Sequence, residues 1–392
     1  MSGGTKTQGG AKAGGQKPRL LHLHSSFDPG GKEVRTVKLM NLFGPGVEHA
    51  LVSSVPEARG AAALIDPRLS VDWPAFPDLA GKPFPRRLQR LAEAMRGYDL
   101  VLTYNWGAMD AVMAHTLFGE WLKLPPLVHH EDGFNEDEAE RLKPARNWYR
   151  RLALARAQGL AVPSRALERI ALEVWKQPRA MVRRIVNGIP VRAYGTKPKP
   201  DALPRVIKRE GELWLDTLAG LRAVKNLPRL VRAFSQMPPE WQLVILGEGP
   251  EREAIRAEAM RLDIGHRVHL PGHVADPAKV MGLFDMFALS SDSEQFPISV
   301  VEAMAAGLAV VSPRVGDVAA MVASENLPHL TEPGDEAELA AALAALAVDP
   351  AARAAIGKAN RARAEAEYDD AAMLKAYDKL YAGAMGRVSL LG

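Results

Sequence analysis

Short apolar runs alternate with amphipathic stretches along almost the whole chain from Arg19 onward. RLLHLHS reads as a strand, a helix follows from about Glu33 to Phe43, and EHALVSS reads as the next strand. YDLVLTYN, PPLVHH and GLAVPS repeat the pattern, each trailed by a helical or loop segment. Strands that alternate with helices in this way build a parallel sheet covered on both faces. The pattern restarts after VNGIPVRAYGTKPKPDALP, where three prolines in a polar, basic stretch mark a linker. Beyond it GELWLDTLAGL, WQLVILGEG, RVHLPGHV, MFALSSD and LAVVSPRVG are strand candidates with helices between them. The expected division is a tail over 1–18, a doubly wound α/β unit over 19–195, a linker over 196–210, a second such unit over 211–366 and a closing segment over 367–392. The closing helix, about Ala371 to Ala384, has apolar residues at helical spacing and no strand after it, so it must pack on a body already built.

Composition narrows the class. The opening stretch MSGGTKTQGGAKAGGQKP is rich in Gly and Lys and offers almost nothing to bury, so disorder is expected there. No run of eighteen uncharged apolar residues and no signal-peptide core is visible, and cysteine is absent from the 392 residues. A cytoplasmic protein without disulfides or thiolate metal sites is the expectation. The net charge of +4 is divided unevenly: residues 1–200 hold 30 Lys and Arg against 19 Asp and Glu, and residues 201–392 hold 20 against 27. A basic first half of net +11 suits an anionic membrane surface or an acidic substrate. Nucleic acid is not expected, because no recognised binding signature accompanies the charge.

In open α/β sheets ligands bind beyond the carboxyl ends of strands, so the loops there carry the candidate chemistry. In SSFDPGGKEVRT, Gly30 and Gly31 stand between a strand and a helix, where backbone N–H groups can approach a phosphate; a plain turn explains the pair equally well. In LVHHEDGF, His129 and His130 end a strand, and because neighbours on a strand point to opposite faces only one of them is expected to reach a cleft. The sequence does not choose between them. In LAGLRAVKN, Arg222 and Lys225 place two cations after the first strand of the second unit, suited to a diphosphate.

SSDSEQFPISVVEAMAAG is the most informative stretch. Pro297 fits a first helical turn, which leaves Glu294 in the preceding loop and opens the N–H groups around Ile298 and Ser299 to an anion. Glu302 falls inside the helix among Val300, Val301, Ala303, Met304 and Ala305, where a carboxylate without a partner is costly. Glu294 is positioned for sugar hydroxyls and Glu302 for a ribose diol. Asp292 to Glu294 mimics a D-x-D metal motif only superficially, and no metal site is expected.

Glu294 and Glu302, with seven residues between them in SEQFPISVVEAMAAGLAVVSPRVG, resemble the E-x7-E signature of retaining, family 4-like glycosyltransferases of GT-B fold. DPGGKEVRTVKLMN is similar to that family's Gly-Gly loop, AVPSRAL and VNGIPV to two further elements, GLRAVKN to its phosphate loop, and YDDAAMLKAYDKLYAG to the terminal helix that crosses back to the first domain. The resemblance covers nearly all of the chain after residue 19. It implies two Rossmann-like domains facing across a cleft, with the acceptor on the first side and a nucleotide-sugar donor on the second. It assigns Gly31 to the phosphate end, Arg222 and Lys225 to the diphosphate, Glu294 to the transferred sugar, Glu302 to the ribose, and His129, with His130 as rival, to the scissile bond. Phe296, Pro297, Ile298 and Ser299 form the phosphate cradle and Val274 brackets the base. Gln295 stands where the family usually has glycine, Pro190 where it has Asp, and the Arg222 to Lys225 spacing is a shorter variant; none of these removes a group that the chemistry needs.

The implied reaction moves a sugar, from a UDP-sugar in the first place and a GDP-sugar in the second, to a hydroxyl of a lipid-linked or membrane-associated glycan, without a metal or other cofactor. RRLQRLAEAMRG and RNWYRRLALARAQG mix cations with Leu, Trp and Tyr as an interfacial helix does, which connects the basic half to a membrane. Two competing expectations share the fold: a nucleotide-sugar 2-epimerase, and a non-catalytic subunit that binds a sugar nucleotide.

Overall fold

A computed structural model describes residues 17–134, 138 and 141–391. All but the last two residues of the expected disordered tail lie outside that set.

The first half forms a seven-stranded sheet. In chain order its elements are β1 Arg19–His24, α1 Gly31–Phe43, β2 Glu48–Ser53, β3 Val71–Asp72, α2 Pro85–Ala94, β4 Leu100–Tyr104, α3 Met109–Leu122, β5 Leu127–His130, α4 Pro144–Ala153, β6 Gly159–Val162, α5 Arg165–Glu173 and β7 Val182–Arg184. The strands run in the order β3-β2-β1-β4-β5-β6-β7 and every pairing is parallel. The second half contributes β8 Leu213–Leu218, α6 Leu227–Phe234, β9 Trp241–Leu246, α7 Arg252–Arg261, β10 Val268–Gly272, β11 Met286–Ala288, α8 Ile298–Ala305, β12 Val310–Pro313, α9 Val318–Met321 and β13 Leu330–Thr331. These strands pair in the order β10-β9-β8-β11-β12-β13, again all parallel. Helices α10 Glu336–Ala347, α11 Pro350–Glu367 and α12 Asp370–Ala384 complete the chain. Among the described residues no single helix is long and apolar enough to cross a membrane.

Two Rossmann-like bodies of this kind define the GT-B architecture. Helices α10 and α11 belong to the second body: Leu339 and Leu343 join its core, and Gly357 of α11 meets the C-terminal turn of α8 so closely that a Cβ there would fall 1.9 Å from Gly307 O. Helix α12 does not. Its Met373, Tyr377 and Tyr381 are buried against Leu20, Leu102, Tyr104 and Val128 of the first sheet. The crossing points touch, since Ile189 bridges Asp369 in parallel and Lys38 of α1 donates to Gly188 O at 2.9 Å.

The first body has a polar interior. His22, His24, His49 and His130 are all buried beside Tyr104, with His22 bonded to the Tyr104 hydroxyl and to His49, each at 3.0 Å. Burial pushes all four imidazoles below their ordinary value, His49 to about 4. A folded-state value lower than the unfolded one means stability that is whole above pH 6.5 and lost as pH falls below it. His49 alone is expected to remove ~2 kcal/mol by pH 5. Urea titrations at pH 7.5 and 5 measure the loss, and a midpoint that does not move would contradict neutral burial of these rings.

Candidate functional site

Loops at the carboxyl ends of β8, β11 and β12 assemble on the second body. The turn after β9 packs against the loop after β8 through Gly247 (φ +145°) and Gly249 (φ +155°), where a Cβ would strike Ala219 O at 1.9 Å and Leu221 O at 2.4 Å. That loop carries Arg222, exposed, and then a short helical turn ending at Lys225. Lys225 Nζ donates to Glu294 Oε1, which also accepts from Ser291 Oγ at 2.7 Å. Ser290 Oγ donates to Lys225 O at 2.9 Å, and Asp292 N to Val224 O at 2.9 Å, so backbone bonds hold the cationic and acidic loops together. From the other side the loop after β12 presses on Glu294 and Gln295 at Gly316 (φ +55°), where a Cβ would lie 2.5 Å from Glu294 O.

Helix α8 starts as its proline dictates. Pro297 is the N-cap, no side chain caps the turn, and Val300 N–H bonds back to Pro297 O at 3.1 Å. The N–H groups of Ile298 and Ser299 are left as an anion-binding terminus. Phe296 is buried edge-on against Tyr368 and anchors the turn. One turn on, Glu302 Oε1 accepts from Tyr194 OH at 2.9 Å. Burial raises the Glu302 carboxyl, opposed by the Tyr194 hydrogen bond and by Lys38 across the cleft. Behind it on β8 lies Asp216, fully buried with neither carboxyl oxygen bonded to another group. Burial and then the charge of Glu302 push this carboxyl well above the carboxylate range. Val274, just past β10, packs onto the core of the second body. Asp292 is taken by Arg229 at 2.7 Å and by Asn226. Among the described residues no three potential metal ligands cluster.

The glycine pair on the first body divides. Gly30 is the N-cap of α1, and the buried Glu33 carboxylate folds back over it, 2.7 Å from where a Cβ would stand. The chain's own acid fills that side, whereas a Cβ on Gly31 would meet nothing within 4 Å.

The expectation of one cleft-facing histidine is corrected: His129 and His130 are both buried. His129 Nδ1 bonds Thr103 Oγ1 at 2.8 Å, and its Nε2 lies 3.9 Å from Glu131. His130 bonds Thr103 O at 3.1 Å and Tyr381 OH at 2.7 Å, stacked on Tyr104. Strand β5 lies inside a sheet covered on one face by α3 and on the other by α12, so alternation sends each ring under a helix. Asp132, two residues past His130, is ion-paired with Arg35 of α1 through both terminal guanidinium nitrogens. Its neighbour Gly133 adjoins Gln295: a Cβ there would lie 3.4 Å from Gln295 Cγ. Arg35, Asp132, Tyr194 and Asp216 are absent from the sequence-based list. Only Asp216 has a local signal, an acid in the apolar run LWLDTL.

Two parallel-sheet bodies with the candidate loops at the carboxyl ends of their strands define a GT-B fold. Residues 29–193 match the Glycosyltransferase Family 4 model and residues 204–363 the Glycosyl transferases group 1 model. The chain belongs to the group 1, family 4-like glycosyltransferases. It is 24% identical over 278 residues, 70% of this chain and 71% of the relative, to N-acetyl-alpha-D-glucosaminyl L-malate synthase of Bacillus anthracis. It is 29% identical over 185 residues to sulfoquinovosyl transferase SQD2 of Arabidopsis thaliana, a match to 46% of this chain and 36% of that enzyme. Its fold is similar to that of HepE from Anabaena solved with UDP, with a TM-score of 0.76 at 20% identity, covering 93% of this chain and 100% of the other.

Proposed function

We propose that the enzyme is a retaining transferase that moves a sugar from a nucleoside diphosphate, with UDP the favoured carrier and GDP the second, to a hydroxyl of a lipid-linked or membrane-associated glycan. The observation that carries this reading is the Lys225–Glu294 ion pair beside the uncapped start of α8, with Glu302 one turn further in. Diphosphate oxygens lie at the Ile298 and Ser299 N–H groups, with Arg222 and Lys225 neutralising charge as the leaving group departs. Glu302 receives the ribose diol and Val274 borders the base. The bond from the anomeric carbon to the phosphate oxygen breaks and the bond to the acceptor oxygen forms on the same face. The acceptor's proton passes to the departing phosphate oxygen. Positioning and charge stabilisation supply the catalysis, and metal is assigned no step.

UDP as donor is supported by the similar HepE fold, whose structures carry UDP and UDP-glucose. A membrane-side acceptor is supported by α3 and α4, which pack together and expose Leu117, Trp121, Trp148 and Leu152 with Arg151 over the Trp148 ring. Gln295, which follows Glu294 in the chain and adjoins Gly133, is the residue we assign to sugar selection.

Thermal-shift titrations with UDP-, GDP- and ADP-sugars are expected to show stabilisation by the UDP series first, and Gln295→Gly to change the ranking of sugars within it. Stabilisation by none of the three series would sink the donor assignment. Formation of an epimer from a UDP-sugar without acceptor would replace transfer by 2-epimerisation. Failure to float with anionic vesicles would remove the membrane.

A further inference from the structure

The stretch AVPSRAL, which runs from β6 into α5, contains a contact between the two bodies. Ser164 is the N-cap of α5, and its hydroxyl accepts the Leu167 N–H at 3.1 Å. That leaves the Arg165 N–H, one of the unsatisfied donors of a first helical turn, to a partner from elsewhere. The partner is Asp317 of the second body, 152 positions on: Arg165 N–H donates to Asp317 Oδ2 at 2.6 Å. A carboxylate at the positive end of a helix makes this a charge-assisted bond.

Asp317 has a nearer use for its carboxylate and does not take it. It is the N-cap of α9, where an aspartate ordinarily accepts an N–H two or three residues on, yet its side chain makes no such bond. Ala320 N–H and Met321 N–H go instead to its main-chain oxygen, at 2.8 and 3.0 Å. The carboxylate, on a residue only 7% exposed, goes to α5. The Asp317 N–H meanwhile donates to Gln295 O at 3.1 Å, and Gly316 lies so close to the same loop that a Cβ would fall 2.7 Å from Gln295 O. Asp317 thus grips the first body with its side chain and the loop of Glu294 and Gln295 with its backbone.

Packing does not close this seam. A cavity of about 270 Å³ lies beside the bond, walled by Arg165 and Arg184 from the first body, Phe296 and Met321 from the second, and Tyr368 ahead of α12. The chain crosses between the bodies near Ile189 and again near Asp369, and these two residues pair with each other. Two bodies joined at one place with a void alongside can rock about the joint, so a hydrogen bond across the seam sets their angle.

We infer that Asp317 is a positioning residue: its carboxylate on the start of α5 holds the bodies at the angle that puts Gln295 beside Gly133. No atom of Asp317 enters the reaction. The inference rests on the transferase reading above for what the Glu294 and Gln295 loop does, and its test keeps the two apart. Asp317→Ala removes the acceptor, whereas Asp317→Asn retains an oxygen of the same reach for the Arg165 N–H. Because the chain has no cysteine, Arg169→Cys in α5 and Ala257→Cys in α7, both at exposed positions, take spin labels at those points alone. Electron–electron double resonance on the labelled full chain is expected to give a narrow distance distribution, a broader and longer one with Asp317→Ala, and the narrow one again with Asp317→Asn. Steady-state hydrolysis is then followed with whichever UDP-, GDP- or ADP-sugar turns over. Asp317→Ala is expected to raise the donor KM about tenfold or more, the span of a lost hydrogen bond to a charged group. Its kcat is expected to stay within about twofold, because saturating donor draws the bodies back to the same angle. Asp317→Asn is expected to bring KM to within about threefold of wild type. An unchanged distance distribution in Asp317→Ala, or a lowered melting temperature with KM unchanged, would reduce the contact to a helix cap and overturn the proposal. A wild-type protein that turns over no nucleotide sugar would instead sink the transferase reading, and the label distances alone would then decide whether Asp317 sets the angle.

Discussion

Lys225→Ala and Glu294→Ala are each expected to lower turnover by about a hundred- to a thousand-fold, the scale seen when one preorganised charge is removed from a reacting centre. The two side chains are only 15% and 11% exposed and pair with each other, so the site holds its charge in a fixed place before substrate arrives. Removing Lys225 takes away a cation from the proposed diphosphate position and also leaves Glu294 without its counterion. Removing Glu294 frees the lysine and strips the proposed sugar position of a hydrogen-bond acceptor. The bonds from Ser290 Oγ to Lys225 O and from Asp292 N to Val224 O survive both changes, so the fold is expected to persist. Steady-state transfer or donor hydrolysis, read beside the melting temperature, separates the effects. Near wild-type rates in both folded variants would remove these residues from the mechanism.

The second large effect is on stability. Arg150 is fully buried, 3.0 Å from Glu138 and 3.4 Å from Glu131, and stacked on Trp106, Phe134 and Trp175. Both glutamates are buried too. Arg150→Met keeps much of the volume but leaves the Glu131 carboxylate in the interior without its cation, while Glu138 keeps Arg146, and is expected to cost about 3–5 kcal/mol of unfolding free energy. Adding Glu131→Gln to that background is expected to restore part of it, because the stranded charge is then gone. Urea unfolding measures each step. A single variant within about 1 kcal/mol of wild type would show that the cluster is not dry.

These residues also mark what the sequence can and cannot convey. Strand-helix alternation is legible because parallel strands buried on both faces read as apolar runs, and LLHL and LVIL say so without a partner. Glu294, Pro297 and Glu302 are legible because a proline sets the helix start and the acids keep a fixed spacing from it. Strands β3, β7 and β13 are two or three residues long, too short for any period to show. Arg35 and Asp132 are 97 positions apart, and Arg150 meets Glu131 and Glu138 only because α4 returns over the end of β5. Pairings of that kind leave no local spacing to find. Histidines 129 and 130 are the reverse case: their position at a strand end suggested the cleft, but the end of an inner strand lies under helices on both sides.

Helix α12 has one more consequence. The bond from His130 to Tyr381 joins residues 251 positions apart, and Tyr377, Tyr381 and Met373 fill the face of the first sheet around Tyr104 and Val128. A ribosome delivers that sheet long before the helix that roofs it. Until the last helix emerges, the nascent first half carries an uncovered apolar face, the kind of surface that chaperones hold and that aggregates when they do not. The first body is therefore completed only after the second body that follows it in the chain.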